Sequence, residues 1–413
     1  MAVGIGVLGA GTVGGTLVRR LIEEGDLVTA RTGLEFEVRK VAVRSLSKER
    51  AFAVPAGVLT DRPADVIADP RVDLVVEVMG GREPAGDLVL SALVAGKPVV
   101  TANKELIAAR GPELIAAAAG AGVPLLFEAA VGGGIPIIRP LSETLAGEQV
   151  HRVMGIVNGT TNFVLTTMAE EGRDFSDALA EAGALGYAEP DPTADVSGED
   201  AAAKATILAG LAFGVWIDRI HTEGIAGLDV VDLRFAADLG YVVKLLAVAE
   251  RIGGGVSARV HPAMVPAGHP LAAIRGATNA IFIEGPSVGE LLFAGPGAGA
   301  EPTTTVVMGD VIDAAREMLS GSQVAPRIRV APGDVVDFAE VPTQWYVRLE
   351  VEDRPGVLAK IAASFGDAGV SIKSVRQEGR GETATVLLVT HEAPEASQRR
   401  AVAALRDLSL IHI

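Results

Sequence analysis

Short, continuously apolar runs alternate with amphipathic stretches of helical length along the first third of the chain. Val3–Leu8, Val38–Val43, Leu74–Val78, Val99–Thr101 and Pro124–Phe127 read as strands. Most lack the apolar–polar alternation of a sheet with one wet face, so parallel strands covered on both sides are expected. Thr12–Glu24 and Glu105–Ala119 carry the helical pattern between them. Residues 1–130 are therefore expected to form an α/β fold, a Rossmann-type doubly wound parallel sheet.

From 131 to 320 the rhythm changes. A Gly132-Gly133-Gly134 turn leads to a strand near Val153–Val157, helices near Asn162–Glu171 and Asp200–Phe213, and further short strands between Val256 and Phe293. The expectation is an α+β domain for substrate and dimerisation. Its closing helix, near Thr304–Leu319, is expected to pack back on the first domain. Residues 321–343, rich in Pro, Gly and Asp, read as a linker, and 344–413 as a compact unit of strand, helix, strand, strand and helix.

Composition narrows the function classes. Hydrophobic residues make up 49% of the 413 and charged ones 21%, enough apolar material for two or three cores. The net charge of −16 argues against nucleic acid or an anionic membrane as partner. It leaves room for an anionic cofactor, since a helix N-terminus can hold phosphate on an acidic protein. The chain has no cysteine, which excludes disulfides and a thiohemiacetal route to aldehyde oxidation. The longest apolar run, Ala205–Ile217, falls short of the roughly 20 residues that span a bilayer. With no export leader ahead of Val3, cytoplasmic residence is expected.

Gly9-Ala10-Gly11-Thr12-Val13-Gly14 follows a strand and opens a helix. Gly9 suits the tight turn, Gly11 the approach of a pyrophosphate, and Gly14 close packing of helix on strand. Dinucleotide binding is expected here, with Thr12 and Val13 at the helix start. Arg44 ends the second strand, where an acid would select NAD; an arginine suits the 2′-phosphate of NADP, although a solvated surface arginine reads the same way and NAD stays possible. Lys104, past the strand ending at Thr101, opens a helix whose dipole disfavours a cation, so it needs a partner or a task.

Lys204 is more telling. Ser197-Gly198-Glu199-Asp200 reads as a helix start with Ser197 as N-cap, and Lys204 shares the face of Ile207, Leu208 and Leu211. A surface Asp–Lys pair is the plainer reading; a desolvated lysine oriented by Asp200 and used for proton transfer is the sharper one. The acidic, proline-stiffened loop Gly186-Tyr187-Ala188-Glu189-Pro190-Asp191-Pro192-Thr193-Ala194-Asp195 could hold an ammonium group or equally be a solvated turn. Glu128 runs into the Gly132–Gly134 turn, where a carboxylate and carbonyls could take a hard monovalent cation or simply form a hinge. Gly295-Pro296-Gly297-Ala298-Gly299 is a second glycine loop, either closing over the cofactor or only turning the chain.

Taken in order, these motifs resemble homoserine dehydrogenase in its monofunctional form with a C-terminal regulatory domain. The likeness covers nearly the whole chain. It rests on Gly9–Gly15, Thr101-Ala102-Asn103-Lys104, Glu128–Pro136, Asn158-Gly159-Thr160-Thr161-Asn162, Gly186–Pro192 and Asp200–Lys204. The resemblance implies Lys104 and Lys204 as catalytic lysines and Gly159, Thr160, Tyr187, Glu189, Asp195 and Asp200 as substrate contacts. It implies cofactor contacts from Gly9, Gly11, Thr12, Val13, Gly14, Arg44, Thr101, Lys104, Gly186, Gly297 and Gly299. It also implies a structural sodium-type site from Glu128 and the carbonyls of Val131, Gly133 and Ile135, and a homodimer or homotetramer.

The last 70 residues resemble a ferredoxin-like ACT domain. Its turn, Asp353, Pro355, Gly356, Val357 and Leu358, is expected to face a small effector; the resemblance suggests L-threonine. Two other readings compete: another amino-acid dehydrogenase on this fold, and a non-catalytic cofactor-bound sensor. The presence of both Lys104 and Lys204 speaks against the sensor.

Overall fold

The structure is a computed structural model that describes residues 2–50, 54–321, 327–331, 333–379, 382–406 and 411–412. Part of the expected linker, residues 322–326 and 332, lies outside them.

The valine-rich runs become strands β1 (Val3–Leu8), β2 (Phe36–Ala42), β3 (Leu59–Thr60), β4 (Leu74–Glu77), β5 (Val99–Thr101) and β6 (Leu125–Leu126). They pair in parallel in the order β3-β2-β1-β4-β5-β6. Helices α1 (Thr12–Glu23), α2 (Gly25–Thr32), α3 (Ala64–Ala68), α4 (Ala85–Val94) and α5 (Lys104–Ala121) connect them. All six residues of β1 are buried, which explains their unbroken apolar run. The chain runs outward from β1 to β3 and returns at β4 on the other side, so the carboxyl ends of β1 and β4 flank the switch point where such sheets bind ligands.

A second sheet holds β7 (Arg152–Ile156), β8 (His221–Thr222), β9 (Tyr241–Ile252), β10 (Gly255–Pro266), β11 (Thr278–Gly285) and β12 (Gly289–Pro296), in the order β12-β11-β7-β9-β10-β8. With it come α6 (Gly159–Glu171), α7 (Phe175–Ala184), α8 (Thr193–Val196), α9 (Glu199–Phe213) and α10 (Val230–Asp238). Here the structure departs from expectation. β9 and β10 are 12 residues each, and β9 precedes the expected strand region. The β9 sequence is apolar without alternation, so its period does not separate a buried strand from a buried helix.

Helix α11 (Ala300–Ser320) returns to the first sheet. Its Val307, Met308, Val311 and Ala314 share one core with Ile5, Leu17, Leu74 and Val100. The Thr304 hydroxyl donates to the Val13 carbonyl at 3.2 Å.

The chain divides into two compact units: Met1–Glu250 with Ala258–Gly333, and Arg251–Ser257 with Asp334–Ile413. The second contains β13 (Pro342–Thr343), β14 (Tyr346–Glu352), α12 (Val357–Asp367), β15 (Ile372–Glu378), β16 (Thr383–Thr390), β17 (Ala393–Pro394), α13 (Glu395–Arg406) and β18 (Ile411–His412). Its antiparallel sheet, ordered β15-β16-β14-β18, packs Leu349, Ile361, Phe365, Leu388 and Leu405 into one core. This is the ferredoxin-like arrangement expected. Among the described residues no helix is long and apolar enough to cross a membrane.

Candidate active site

The glycine fingerprint sits at the carboxyl end of β1. Gly9 has φ +101°, a region open to glycine and costly for other residues. A Cβ on Gly14 would run into the Gly9 carbonyl, whereas Gly11 faces open space. Gly11 caps α1 without a side-chain bond, which leaves the first amides of the helix, at Thr12 and Val13, open to an anion. These features fit a dinucleotide pyrophosphate. Arg44 is exposed, two residues beyond β2. The loop after it adds Lys48 and Arg50, and Arg50 braces the turn through the carbonyls of Ser45 at 2.7 Å and Lys48 at 2.8 Å.

At the end of β5, Thr101 is fully buried and its hydroxyl donates to Glu77 Oε2 at 2.6 Å. Burial pushes the Glu77 carboxyl up, and the amides of Met79 and Gly80 donate to it. The Thr101 side chain is thus committed to the sheet end. Asn103 caps α5 by accepting from the Leu106 amide at 3.1 Å. Lys104 is the first residue of that helix, and the partner its unfavourable position calls for is present: Nζ lies 3.2 Å from Asp200 Oδ1.

Asp200 joins both lysines. Lys204 Nζ donates to Asp200 Oδ2 at 2.6 Å and to the Val157 carbonyl at 2.6 Å. Asn158 Nδ2 donates to Asp200 Oδ2 at 2.9 Å and to Asp195 Oδ1 at 2.7 Å. Burial alone would push the Asp200 carboxyl up; Lys204 and Lys104 overcome it and hold Asp200 well below the usual carboxylate range. Burial likewise works to lower the Lys104 ammonium, but Asp200 outweighs it and leaves Lys104 above its ordinary value. The sequence places Asp200 and Lys204 one helical turn apart, and only the fold brings Lys104 to the other oxygen.

The two lysines and Asp200 line a cleft of ≈ 1490 Å³. Gly159, Thr160, Gly186, Tyr187, Glu189, Asp195, Gly297 and Gly299 line it too. Thr160 Oγ1 donates to the Tyr187 carbonyl at 2.6 Å, tying the acidic loop to the start of α6. The triple-glycine turn meets the second glycine loop directly. Gly134 N donates to the Pro296 carbonyl at 3.0 Å, and a Cβ on Gly133 would collide with the Gly297 carbonyl. Gly9–Gly14, Arg44 and Thr101 lie outside this lining, along the strand ends of the first sheet.

One expectation needs correction. The N-cap of α9 is Gly198, with φ +86°, not Ser197, because the short helix α8 runs up to Val196 and leaves only a glycine turn between the helices. Glu128 Oε1 accepts from the amides of Ile137 and Ile138, both at 2.5 Å, and its Oε2 from Arg139 N at 2.9 Å. Arg139 also pairs with Asp310, whose Oδ2 accepts from the Glu128 amide at 2.8 Å. Three amides thus occupy three of the roughly four acceptor positions of this carboxylate, while the Glu128 amide and Arg139 tie the loop to Asp310 on α11. Among the described residues no group of three or more acids and histidines could hold a metal.

Two residues were missed. Asn158, 6% exposed, both caps α6 and bridges two acids; an asparagine between a buried strand and a helix is the available signal. Asn279 on β11, 1% exposed, lines the cleft with an Oδ1 that has no hydrogen-bond partner, and nothing in the sequence singles it out. In the second unit, Gly356, with φ +93°, caps α12. Asp353 accepts from Gln377 Nε2 at 3.1 Å, and Leu358 is 42% exposed.

Comparison with known proteins gives the same picture. Residues 9–128 match the family described as homoserine dehydrogenase, NAD binding domain; 136–312 match homoserine dehydrogenase; 345–410 match the ACT domain. The homoserine dehydrogenase of Corynebacterium glutamicum is 47% identical over 412 residues, covering 98% of this chain and 92% of that one. That of Mycobacterium tuberculosis is 46% identical, covering 99% and 95%. The crystal structure of a homoserine dehydrogenase from Thiobacillus denitrificans superposes with a TM-score of 0.94 at 41% identity, covering 100% and 96% of the two chains. A hyperthermophilic archaeal homoserine dehydrogenase in complex with NADPH matches at a TM-score of 0.63 and 28% identity, covering 79% of this chain and 100% of that one. With a dinucleotide fingerprint, a two-lysine cleft and an ACT domain in this order, the chain belongs to the homoserine dehydrogenase family, the NAD(P)-dependent oxidoreductases that act on the CH–OH group of L-homoserine.

Proposed function

We propose that Lys204 carries the proton and Lys104 steadies the reacting oxygen in the interconversion of L-homoserine and L-aspartate 4-semialdehyde. The observation that supports this is the convergence of both lysines on one buried carboxylate, Asp200. A bound nicotinamide cofactor supplies or accepts the hydride. As the semialdehyde is reduced, charge grows on its oxygen, and Lys104, held cationic by Asp200, opposes it. Lys204 gives that oxygen a proton and takes it back in the reverse direction. Glu189 and Asp195 receive the substrate ammonium group, while Gly159 and Thr160 at the start of α6 receive its carboxylate. A monovalent cation held by Glu128 and the carbonyls of Val131, Gly133 and Ile135 would brace the glycine turn and takes no part in the proton transfer.

The cofactor is NADP in preference to NAD. Arg44, Lys48 and Arg50 gather beyond β2, and the archaeal relative noted above binds NADPH. Arg44→Ala should weaken NADP binding by about 1.5–3 kcal/mol, the worth of a charge-assisted hydrogen bond, and leave NAD nearly untouched. Titrating both cofactors against the variant checks this; equal losses would remove Arg44 from phosphate recognition.

The ACT domain senses an amino acid, with L-threonine as the proposed inhibitor. The turn Asp353–Leu358 opens α12, where amides suit a carboxylate and Asp353 suits an ammonium group. A chain ending near residue 340 should keep turnover and lose inhibition. Coupling of this kind is typically worth about 1–3 kcal/mol. Turnover of the full-length enzyme that ignores millimolar threonine would recast the domain as an assembly module. The exposed edge strand β12, with Leu292 at 42% exposure, favours a homodimer or homotetramer, which solution mass checks. Drawing on the nicotinamide pool of biosynthesis, the enzyme works in the cytoplasm.

A further inference from the structure

Helix α5 contains a proline in its interior, Pro112. A proline has no N–H, so the carbonyl four residues back, that of Ala108, loses its helical donor. That carbonyl is not left bare. The indole Nε1 of Trp216 donates to Ala108 O at 2.9 Å.

Trp216 reaches it from the loop after α9. Gly214, with φ +71°, ends α9 and turns the chain back on itself. Thr206 Oγ1, on α9, donates to the Ile217 carbonyl at 3.1 Å and fixes the return. The ring then fits between two glycines, one on each helix. A Cβ on Gly111 of α5 would strike its six-membered ring, and so would a Cβ on Gly210 of α9. Both glycines are buried. No residue larger than glycine fits either seat without moving the ring.

The two helices that share this wedge carry the reacting groups. Lys104 opens α5, and Asp200 and Lys204 lie in the first two turns of α9. Between these reacting groups, Lys104 Nζ approaches Asp200 Oδ1 at 3.2 Å across the two helices. We propose that Trp216 is a positioning residue for catalysis: wedged between Gly111 and Gly210 and bonded to the carbonyl that Pro112 leaves open, it sets the spacing of α5 and α9, and so the registry of Lys104 against Asp200 and Lys204. The inference rests on the reading of those three side chains as the reacting apparatus.

The wedge acts in two separable ways, by the volume of its ring and by its N–H. Trp216→Phe keeps an aromatic ring and deletes the donor. Pro112→Ala gives residue 112 an N–H, which restores a donor to Ala108 O from within α5. The variants Trp216→Phe, Pro112→Ala and the double variant are compared by kcat, KM and pH profile in full-length enzyme with aspartate semialdehyde and NADPH. Trp216→Phe is expected to lower kcat about tenfold, or about 1.4 kcal/mol, with KM for the semialdehyde within about twofold. A misplacement of about 1 Å far from the chemistry can cost more than this. The basic limb of kcat/KM should also move to lower pH. Lys104 faces Asp200 on α9, Glu105 on α5 and Asp195 on α8; Asp200 and Asp195, bridged by Asn158, recede together when the helices part, and Glu105 stays on its own helix. In the Pro112→Ala background the same Trp216→Phe change should cost less than about threefold.

Equal losses in both backgrounds, or an unchanged kcat in folded Trp216→Phe, would overturn the proposal. If circular dichroism shows Trp216→Phe unfolded, Gly210→Ala serves instead. It drives the ring from its seat, should lower kcat with KM preserved, and should not be rescued by Pro112→Ala; a normal kcat there would equally overturn it. Failure of the lysine assignment itself is read separately, from Lys204→Met and Asp200→Asn.

Discussion

Lys204→Met should lower kcat by about 10²–10⁴-fold, the usual worth of a positioned general acid–base. Methionine has nearly the length and volume of the lysine stem, so the packing of α9 is kept while the proton carrier is lost. Lys204 is 11% exposed, and its Nζ is held by Asp200 and the Val157 carbonyl. KM should change far less than kcat, because the interaction removed matters most when charge forms on the substrate oxygen. Steady-state turnover in both directions, with circular dichroism to confirm the fold, checks this. Near-normal turnover in a folded variant would end the assignment of Lys204 as proton carrier.

Asp200→Asn should be nearly as damaging, and it has a pH signature. Asparagine keeps the shape and still accepts from Lys204, but it removes the charge that both lysines share. In the native enzyme Asp200 holds Lys104 above its ordinary value against the opposing effect of burial. Without it, burial dominates and the Lys104 pKa falls, although Glu105 and Asp195 retain some attraction. Lys104 works in its charged form, which is populated below its pKa and lost above it. The basic limb of kcat/KM should therefore move to lower pH. At its optimum the variant should retain about 10⁻² to 10⁻³ of native kcat/KM, as when one electrostatic donor is removed from an active site. Stability should fall by about 3 kcal/mol at most, since breaking a buried pair costs about 3–5 kcal/mol and Lys104 is 35% exposed. A basic limb that stays in place would separate Asp200 from Lys104.

Most of this architecture was legible because its signals are local. Val3–Leu8 and Val99–Thr101 coincide with β1 and β5, since a strand covered on both faces must be apolar throughout. Gly9 takes a positive φ and Gly14 packs against the Gly9 carbonyl, both within a short stretch of chain. Lys204 was flagged because Asp200 lies one helical turn away. What was not legible depends on distant pairs. The partner of Lys104 comes from 96 positions further on, and no periodicity encodes that meeting. The same holds for Trp216 and Pro112, each of which alone reads as a buried aromatic or a helix flaw. Glu128 is the reverse case. A carboxylate beside a glycine turn suggests a ligand, and only the fold shows three amides already on it. β9 is not legible because its apolar residues, interrupted only by Lys244 before Glu250, follow no period of two.

Helix α11 bears on the order in which the molecule can be built. Its Val307, Met308, Val311, Ala314 and Ala315 complete the core under the first sheet, yet they are encoded after the whole second sheet. A nascent chain that has emerged only through residue 130 would expose the seat for these side chains, and each large apolar one contributes about 1.5–3 kcal/mol when buried. The dinucleotide-binding fold is therefore not an autonomous N-terminal product of synthesis. It closes only when the ribosome has delivered residues 300–320, and the second sheet must take shape as an insertion within an unfinished neighbour. A fragment ending at residue 130 should aggregate or bind cofactor poorly, whereas adding a peptide spanning α11 should restore binding.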